Sequence, residues 1–440
     1  MPAGLSDQAL GMPPSQLRPT TAGRDIFLDV IRTGAILAVV GQHWLMPVLS
    51  YADGRLATGN ALATPGWWAV TWLSQVMPLV FFAGGAANLI SLRRAESASG
   101  WLAGRISRLL LPTVPLIAVW LAVPHLLRGL GVPEQPLDIA GAIAGQLLWF
   151  LGVYLLTVLA APVMLAAHRR WGLAVPVVLT GLALVVDLLR FNGFGLLGYV
   201  NAIFVWLAVH QLGFLYAEGK LGTLRPRAAL GMSAAGFGVT GLMVAFGPYP
   251  ASMIGMPGAP VSNMSPPTAV LVSLAVGQIG LMLALRPKIN ELAARPAVAA
   301  TLRWIGPRFM SVYLWHMPAL VVVAGISVLG FGYATPAPGT LDWLTAAPLW
   351  LGAAGLVLAG LLRVFSRFEK APRAATGGPV SLPLLAFAAV AGSVGTLGLA
   401  ARGFAAPVDG GILAGPVPWV ALVLTGLLVA FSNSAVPVRR

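Results

Sequence analysis

The stretch Ile26-Phe27-Leu28-Asp29-Val30-Ile31-Arg32-Thr33-Gly34-Ala35-Ile36-Leu37-Ala38-Val39-Val40-Gly41-Gln42-His43-Trp44-Leu45-Met46-Pro47-Val48-Leu49 decides the fold. It exceeds the ~20 mostly apolar residues that a helix needs to cross about 30 Å of hydrocarbon. Eleven similar runs follow, near residues 67–90, 109–127, 139–166, 174–190, 196–217, 228–247, 267–286, 309–330, 342–363, 381–401 and 411–432. The runs are continuous rather than alternating, which fits helices and not a closed barrel. The expectation is an all-α, polytopic transmembrane helical bundle.

Composition agrees, with 58% hydrophobic and 9% charged residues, far below the roughly one quarter that a soluble chain carries. The net charge of +14 does not point to nucleic acid, because its cations sit in short segments between the apolar runs. These include Arg18 and Arg24 before the first run, Arg93, Arg94, Arg105 and Arg108 after the second, and Arg169 and Arg170 after the fourth. Lys220, Arg225 and Arg227 follow the sixth, the group from Arg286 to Arg308 the eighth, and Arg363 to Arg373 the tenth. Arg439 and Arg440 end the chain, and the intervening connections carry almost no cations. By the positive-inside rule both termini are expected in the cytoplasm, with an even number of spans, twelve here, in the plasma membrane. Residues 1–23 read as a disordered cytoplasmic tail. No stretch reads as a cleaved signal peptide. The absence of cysteine excludes disulfides, thiolate catalysis and cysteine-bound metal. Residues 248–266, uncharged and rich in Gly, Pro, Ser and Met, are a candidate lid or acceptor-side loop.

Ionisable residues inside a span are costly and mark candidate sites. Arg32 and His43 are separated by eleven positions, which leaves them about 20° apart around a helix and about three turns apart along it. Asp29 lies one turn before Arg32 and can pair with it. Two readings of this face stand. Asp29 and Arg32 either snorkel to water and leave His43 a hydrogen-bonded core residue, or all three point into the bundle as a site. A second intramembrane histidine, His316, tilts the balance to a site. His210 reads as structural or interfacial, and His125 and His168, near span ends, as incidental. No spacing suggests a metal centre.

Arg105 and Arg108 stand one turn apart on a short helix, and two guanidinium forks on one face suit a phosphate. Read alone, that segment fits topogenic charge or lipid-headgroup contact better.

Together these residues resemble the acyltransferase-3 family of integral membrane O-acyltransferases. The resemblance rests on Asp29-Val30-Ile31-Arg32-Thr33-Gly34-Ala35 with His43 following, on Arg105-x-x-Arg108 with Pro112, on Leu148-Trp149-Phe150-Leu151, and on Tyr313-Leu314-Trp315-His316-x-Pro318. One departure is that the family's Ser-Gly-Phe in the second span is replaced here by Phe81-Phe82-Ala83-Gly84-Gly85. The resemblance covers residues 24–366, a core of about ten spans, and leaves residues 367–440 as two additional C-terminal helices and a short tail.

What it implies is transfer of an acyl group, acetyl or short-chain, from acyl-CoA to a hydroxyl of a glycan, lipid or secondary metabolite. No permanently bound cofactor is implied; acyl-CoA is a substrate, and membrane lipids are the surroundings. His43 would be the general base, or the carrier of a covalent acyl group, with Arg32 orienting the site or stabilising negative charge. Arg105 and Arg108 would hold the donor phosphates, and Asp29, His316 and Tyr313 would support. His43 would lie about 25 Å along its helix from Ile26, so the thioester must reach deep into the bundle through an internal channel, the favoured reading, or relay its acyl group. The competing class is a transporter or flippase in which Arg32, His43 and His316 line a substrate or proton path.

Overall fold

The computed structural model describes residues 25–369, 381–405 and 415–432. The expected tail at 1–23 and the terminal Arg439 and Arg440 lie outside the described residues. The chain begins with α1 (Ile26–Leu45), started by Asp25, whose carboxylate accepts hydrogen bonds from the free N–H groups of Phe27 and Leu28. Helix α1 stops at Leu45 rather than running on to residue 49. Pro47 brings no N–H to continue it, and β1 (Pro47–Ala52) folds back on β2 (Arg55–Asn60) as an antiparallel hairpin. Asp53 and Gly54 make the turn with φ of 50° and 77°, the positive values that a two-residue hairpin requires. This is the sheet present among the described residues of an otherwise helical protein.

The remaining helices of eight residues or more are α2 (Met77–Arg93), α3 (Ala98–Leu110), α4 (Thr113–Gly129), α5 (Glu134–Gln146), α6 (Leu148–Trp171), α7 (Ala174–Phe191), α8 (Asn201–Ala217) and α9 (Pro226–Phe246). They continue with α10 (Val270–Ala284), α11 (Arg286–Ala293), α12 (Pro296–Ile305), α13 (Phe309–Ala324), α14 (Leu341–Phe365), α15 (Leu382–Arg402) and α16 (Val417–Ser432). Among the described residues ten helical segments are long and apolar enough to cross a membrane; α10 and α11, bent by 61°, make an eleventh if taken as one span. Helix α16, with 16 residues, is shorter. The protein is a multi-pass membrane protein.

The connections sort into two ends. At one end the hairpin exchanges bonds with later loops: Leu49 N donates to Thr335 Oγ1 at 3.1 Å, and Gln135 Nε2 donates to Leu56 O at 2.9 Å. The segment 247–269 lies on this hairpin side and is fastened rather than loose. Asp187 accepts bonds from Tyr249 Oη and Ala269 N, Arg190 donates to the Pro266 and Ser262 carbonyls, and Trp72 Nε1 donates to Ala251 O. At the arginine-rich end Glu218 pairs with Arg93 at 2.5 Å, and Arg286 donates to Gly222 O at 2.6 Å.

Between lipid tails, helices associate through close packing of small residues. Gly85 of α2 and Gly213 of α8 let the two backbones touch; a Cβ at Gly85 would overlap the His210 carbonyl oxygen, and one at Gly213 the Phe82 carbonyl oxygen. Helix α15 joins the bundle in the same way, with Gly152 of α6 facing the Ser393 carbonyl and Thr396.

Candidate active site

Helix α13 runs beside α1 and brings His316 to His43. Trp44 Nε1 donates to the His316 carbonyl at 2.8 Å, and Trp350 Nε1 of α14 donates to the Trp44 carbonyl at 2.8 Å, so three helices are tied at this level. His43 Nδ1 and His316 Nε2 are 2.9 Å apart, with the rings stacked at 5.2 Å between centroids and 13° between planes. His316 Nδ1 lies 2.6 Å from the Tyr313 carbonyl oxygen, one turn back on the same helix.

That carbonyl assigns the protons. It can only accept, so His316 Nδ1 carries the hydrogen and neutral His316 presents Nε2 as an acceptor. His43 must then donate from Nδ1, which leaves its Nε2 with a free lone pair. The His316 side is sealed, with 0% of its surface exposed, whereas His43 keeps part of its surface open. The result is a base with an unprotonated Nε2, backed at Nδ1 by a buried acceptor. Tyr313 takes a different part: its hydroxyl donates to the Leu147 carbonyl at the junction of α5 and α6, and its ring meets Phe150 edge-on at 5.2 Å. Phe150 in turn meets Phe81, which stacks on Trp206 at 4.4 Å. Tyr313 therefore locks α13 to the aromatic core. In the Phe81–Gly85 stretch, Gly84 leaves room for Tyr154, whose ring a Cβ there would meet at 2.7 Å.

The arginines gather elsewhere. Arg32 lies eleven residues before His43, about 17 Å down α1, with its guanidinium over the Phe309 ring at 5.2 Å. Arg105 stacks on Trp101 at 5.5 Å and donates to Ser91 Oγ at 2.6 Å. It lies within electrostatic reach of both Arg108 and Arg32. Among the described residues none of these three pairs with a carboxylate. Like charges near one another with no carboxylate partner among the described residues are chemistry that an anion would answer. Asp29 lies in the first turn of α1, where a carboxylate complements the helix dipole.

The structure thus joins His43 to His316, sets Arg32 and Arg108 within electrostatic reach of Arg105, and keeps Arg32 three turns from His43 along α1. Ser91, Trp44 and Trp350 complete these arrangements and carry no sequence signal of their own. His210 bonds Asn88 at 3.1 Å inside the α2–α8 contact, and His168, buried, has Gln211 and Glu218 on its two ring nitrogens. Both hold helices together. Among the described residues no three His, Asp or Glu side chains gather as a metal cage.

The sequence model of the acyltransferase domain, acyltransferase-3, matches residues 25–362. The chain belongs to the acyltransferase-3 family. It is a membrane acyltransferase that transfers groups other than aminoacyl groups. The matched segment runs from the Asp25 cap of α1 into the last turn of α14 and contains both the histidine pair and the arginine cluster. No curated protein and no solved structure matches the chain.

Proposed function

We propose that this acyltransferase moves an acetyl or short acyl group from acyl-CoA to a hydroxyl of a glycan, lipid or secondary metabolite, with His43 as general base. The observation that carries the reading is the His43–His316 bond, whose polarity the Tyr313 carbonyl fixes. His43 Nε2 takes the proton of the acceptor hydroxyl as its oxygen attacks the thioester carbonyl carbon. The tetrahedral adduct collapses, the carbon–sulfur bond breaks, and the CoA sulfur leaves with the proton that His43 returns. While His43 is charged, its Nδ1–H bond to His316 becomes a charge-assisted one, so His316 supports the charge as it forms.

The phosphates of CoA belong with Arg32, Arg105 and Arg108, and Arg32 is assigned to this group because it is about 17 Å from His43 along α1. Coenzyme A carries its thioester at the end of a long flexible arm, which would enter along α1 and leave the charges behind. Both chain ends and the arginine cluster are placed on the cytoplasmic side of the plasma membrane, and the hairpin side faces out. Purified protein given labelled acetyl-CoA and envelope extract should label an acceptor and release CoA. His43→Ala should abolish both while the protein stays folded and membrane-inserted. Full transfer by that variant would overturn the reading.

A further inference from the structure

Helix α13 begins without a cap of its own. The residue before it, Arg308, makes no side-chain bond to the first turn, and a guanidinium has no acceptor to offer. The free N–H groups of that turn need partners from elsewhere. They find one in Glu369, at the end of the single turn Ser366–Glu369 that follows α14. Its carboxylate accepts from Met310 N at 2.9 Å, from Ser311 N at 3.0 Å and from Ser311 Oγ at 2.6 Å. A negative charge in that place also complements the helix dipole. Earlier in the same stretch Phe365 stacks on Trp315, with 3.8 Å between centroids and 8° between planes. The stretch from Phe365 to Glu369 therefore grips α13 at two points, beside His316 and at the first turn. It lies past residue 362, where the match to the family ends.

Phe309, the first residue of α13, is also the one that Arg32 lies on, with its guanidinium 5.2 Å from the ring centre. The next residue along is Met310, whose N–H Glu369 holds. The end turns of a helix are its loosest part, and an uncapped one frays. Fraying here would move the Phe309 ring and take from Arg32 the surface that fixes its guanidinium. A long cationic side chain has much rotamer freedom to lose, so one already held in place binds an anion at less cost. Arg308 lies within electrostatic reach of Glu369 but donates to the Trp304 carbonyl at 2.8 Å. Among the described residues Glu369 makes no ion pair, and its hydrogen bonds all go to α13.

We propose that Glu369 is a positioning residue for donor binding. By capping α13 it fixes Phe309, and through Phe309 it holds Arg32 ready for the phosphates of CoA. The proposal rests on the reading of Arg32 as a donor-phosphate residue and adds to it a residue from outside the family match.

The test is binding of CoA to the full-length protein in detergent, read by titration calorimetry, which needs neither acceptor nor turnover. Glu369→Ala should raise the Kd by about fivefold, the worth of one helix cap, and spare kcat at saturating acetyl-CoA. In an Arg32→Ala background the same change should leave the Kd where it is, because the residue through which Glu369 acts is gone. Glu369→Gln keeps one acceptor oxygen and should fall between; it carries the same coupling test if the alanine variant does not fold. A cap with a structural role alone would lower the unfolding temperature and leave the Kd of the folded protein unmoved, which would overturn the proposal. A Kd that rises equally with and without Arg32 would overturn it too. Unchanged CoA binding by Arg32→Ala would overturn the donor reading and this proposal with it. Weakened binding by Arg32→Ala beside unchanged binding by Glu369→Ala would overturn this proposal alone.

Discussion

Replacing His316 by phenylalanine isolates what the second imidazole contributes. His316 is fully buried, and a phenyl ring is flat like the imidazole but somewhat larger, so thermal unfolding of the variant reads whether the packing between α1 and α13 holds. The Trp44 bond survives, because it ends on the main-chain carbonyl of residue 316. What is lost is the acceptor 2.9 Å from His43 Nδ1. On the proposed mechanism that bond is charge-assisted while His43 holds the proton, and such bonds contribute about 1.5–3 kcal/mol. With 1.36 kcal/mol for each factor of ten, kcat should fall about tenfold to a hundredfold. That is less than the loss expected for His43→Ala, since general acid–base catalysis supplies about 10²–10⁴. His316→Gln, whose amide oxygen can accept from Nδ1, should recover part of the loss. The assay is transfer of label from saturating acetyl-CoA, alongside thermal unfolding of each variant to confirm the fold. A His316→Phe enzyme within twofold of the unaltered rate would refute the assignment of His316 as a working partner.

The arginine cluster separates binding from chemistry: Arg105→Ala with Arg108→Ala should raise the donor KM by about tenfold or more and spare kcat. Arg32→Ala should behave as they do; a pure loss of kcat there would return Arg32 to the reacting atoms. Gly85→Leu should prevent recovery of monodisperse protein, because its Cβ meets a backbone carbonyl that cannot yield, and overpacking costs about 1–3 kcal/mol or more. Gly231→Ala, with nothing within 4 Å of its Cβ, is the control and should raise or hold the unfolding temperature. Acid stability should depend on Glu218, just outside the membrane span that ends at Ala217. Burial pushes its carboxyl up, but hydrogen bonds from His168, Lys220 and Arg93 outweigh that and hold it below its ordinary value of 4.5. A depressed folded-state value stabilises the fold above the unfolded one, and the gain is lost as pH falls through the folded value. The unfolding temperature should therefore drop more steeply on acidification below about pH 4.5 in the unaltered protein than in Glu218→Gln.

The helices were legible because lipid imposes one rule on every span, namely twenty apolar residues with their own backbone satisfied. What escaped was short-range chemistry at span ends. Asp53-Gly54 is a hairpin turn in plain view, but the apolar residues before Pro47 made residues 46–49 read as more helix. The bend of 61° between α10 and α11 falls at Leu285, and Pro287 sits in the first turn of the helix that follows. In the site, Arg32 and His43 were found by helical spacing, and the same spacing hid their separation, since a shared face says nothing of a shared depth. The bond from His43 to His316 joins residues 273 positions apart and has no local signature. Ser91 and the Leu147 carbonyl are likewise reached only through packing.

Depth along α1 is what gives the proposed reaction its order. A phosphate group carried to the level of His43 would leave water without counterions, at a cost no single side chain there could repay. On the proposed mechanism the three guanidiniums hold the donor's charges, and the neutral arm alone travels the remaining three turns. On that mechanism His43 receives the arm, with its partner His316 fully buried behind it. The separation of Arg32 from His43 is therefore a requirement of the chemistry proposed and not a gap in it. Moving the cations closer to the histidine pair should weaken the enzyme. An arginine introduced at Val39, one turn before His43, is expected to lower transfer while leaving donor binding intact, and an increase in kcat would refute this ordering.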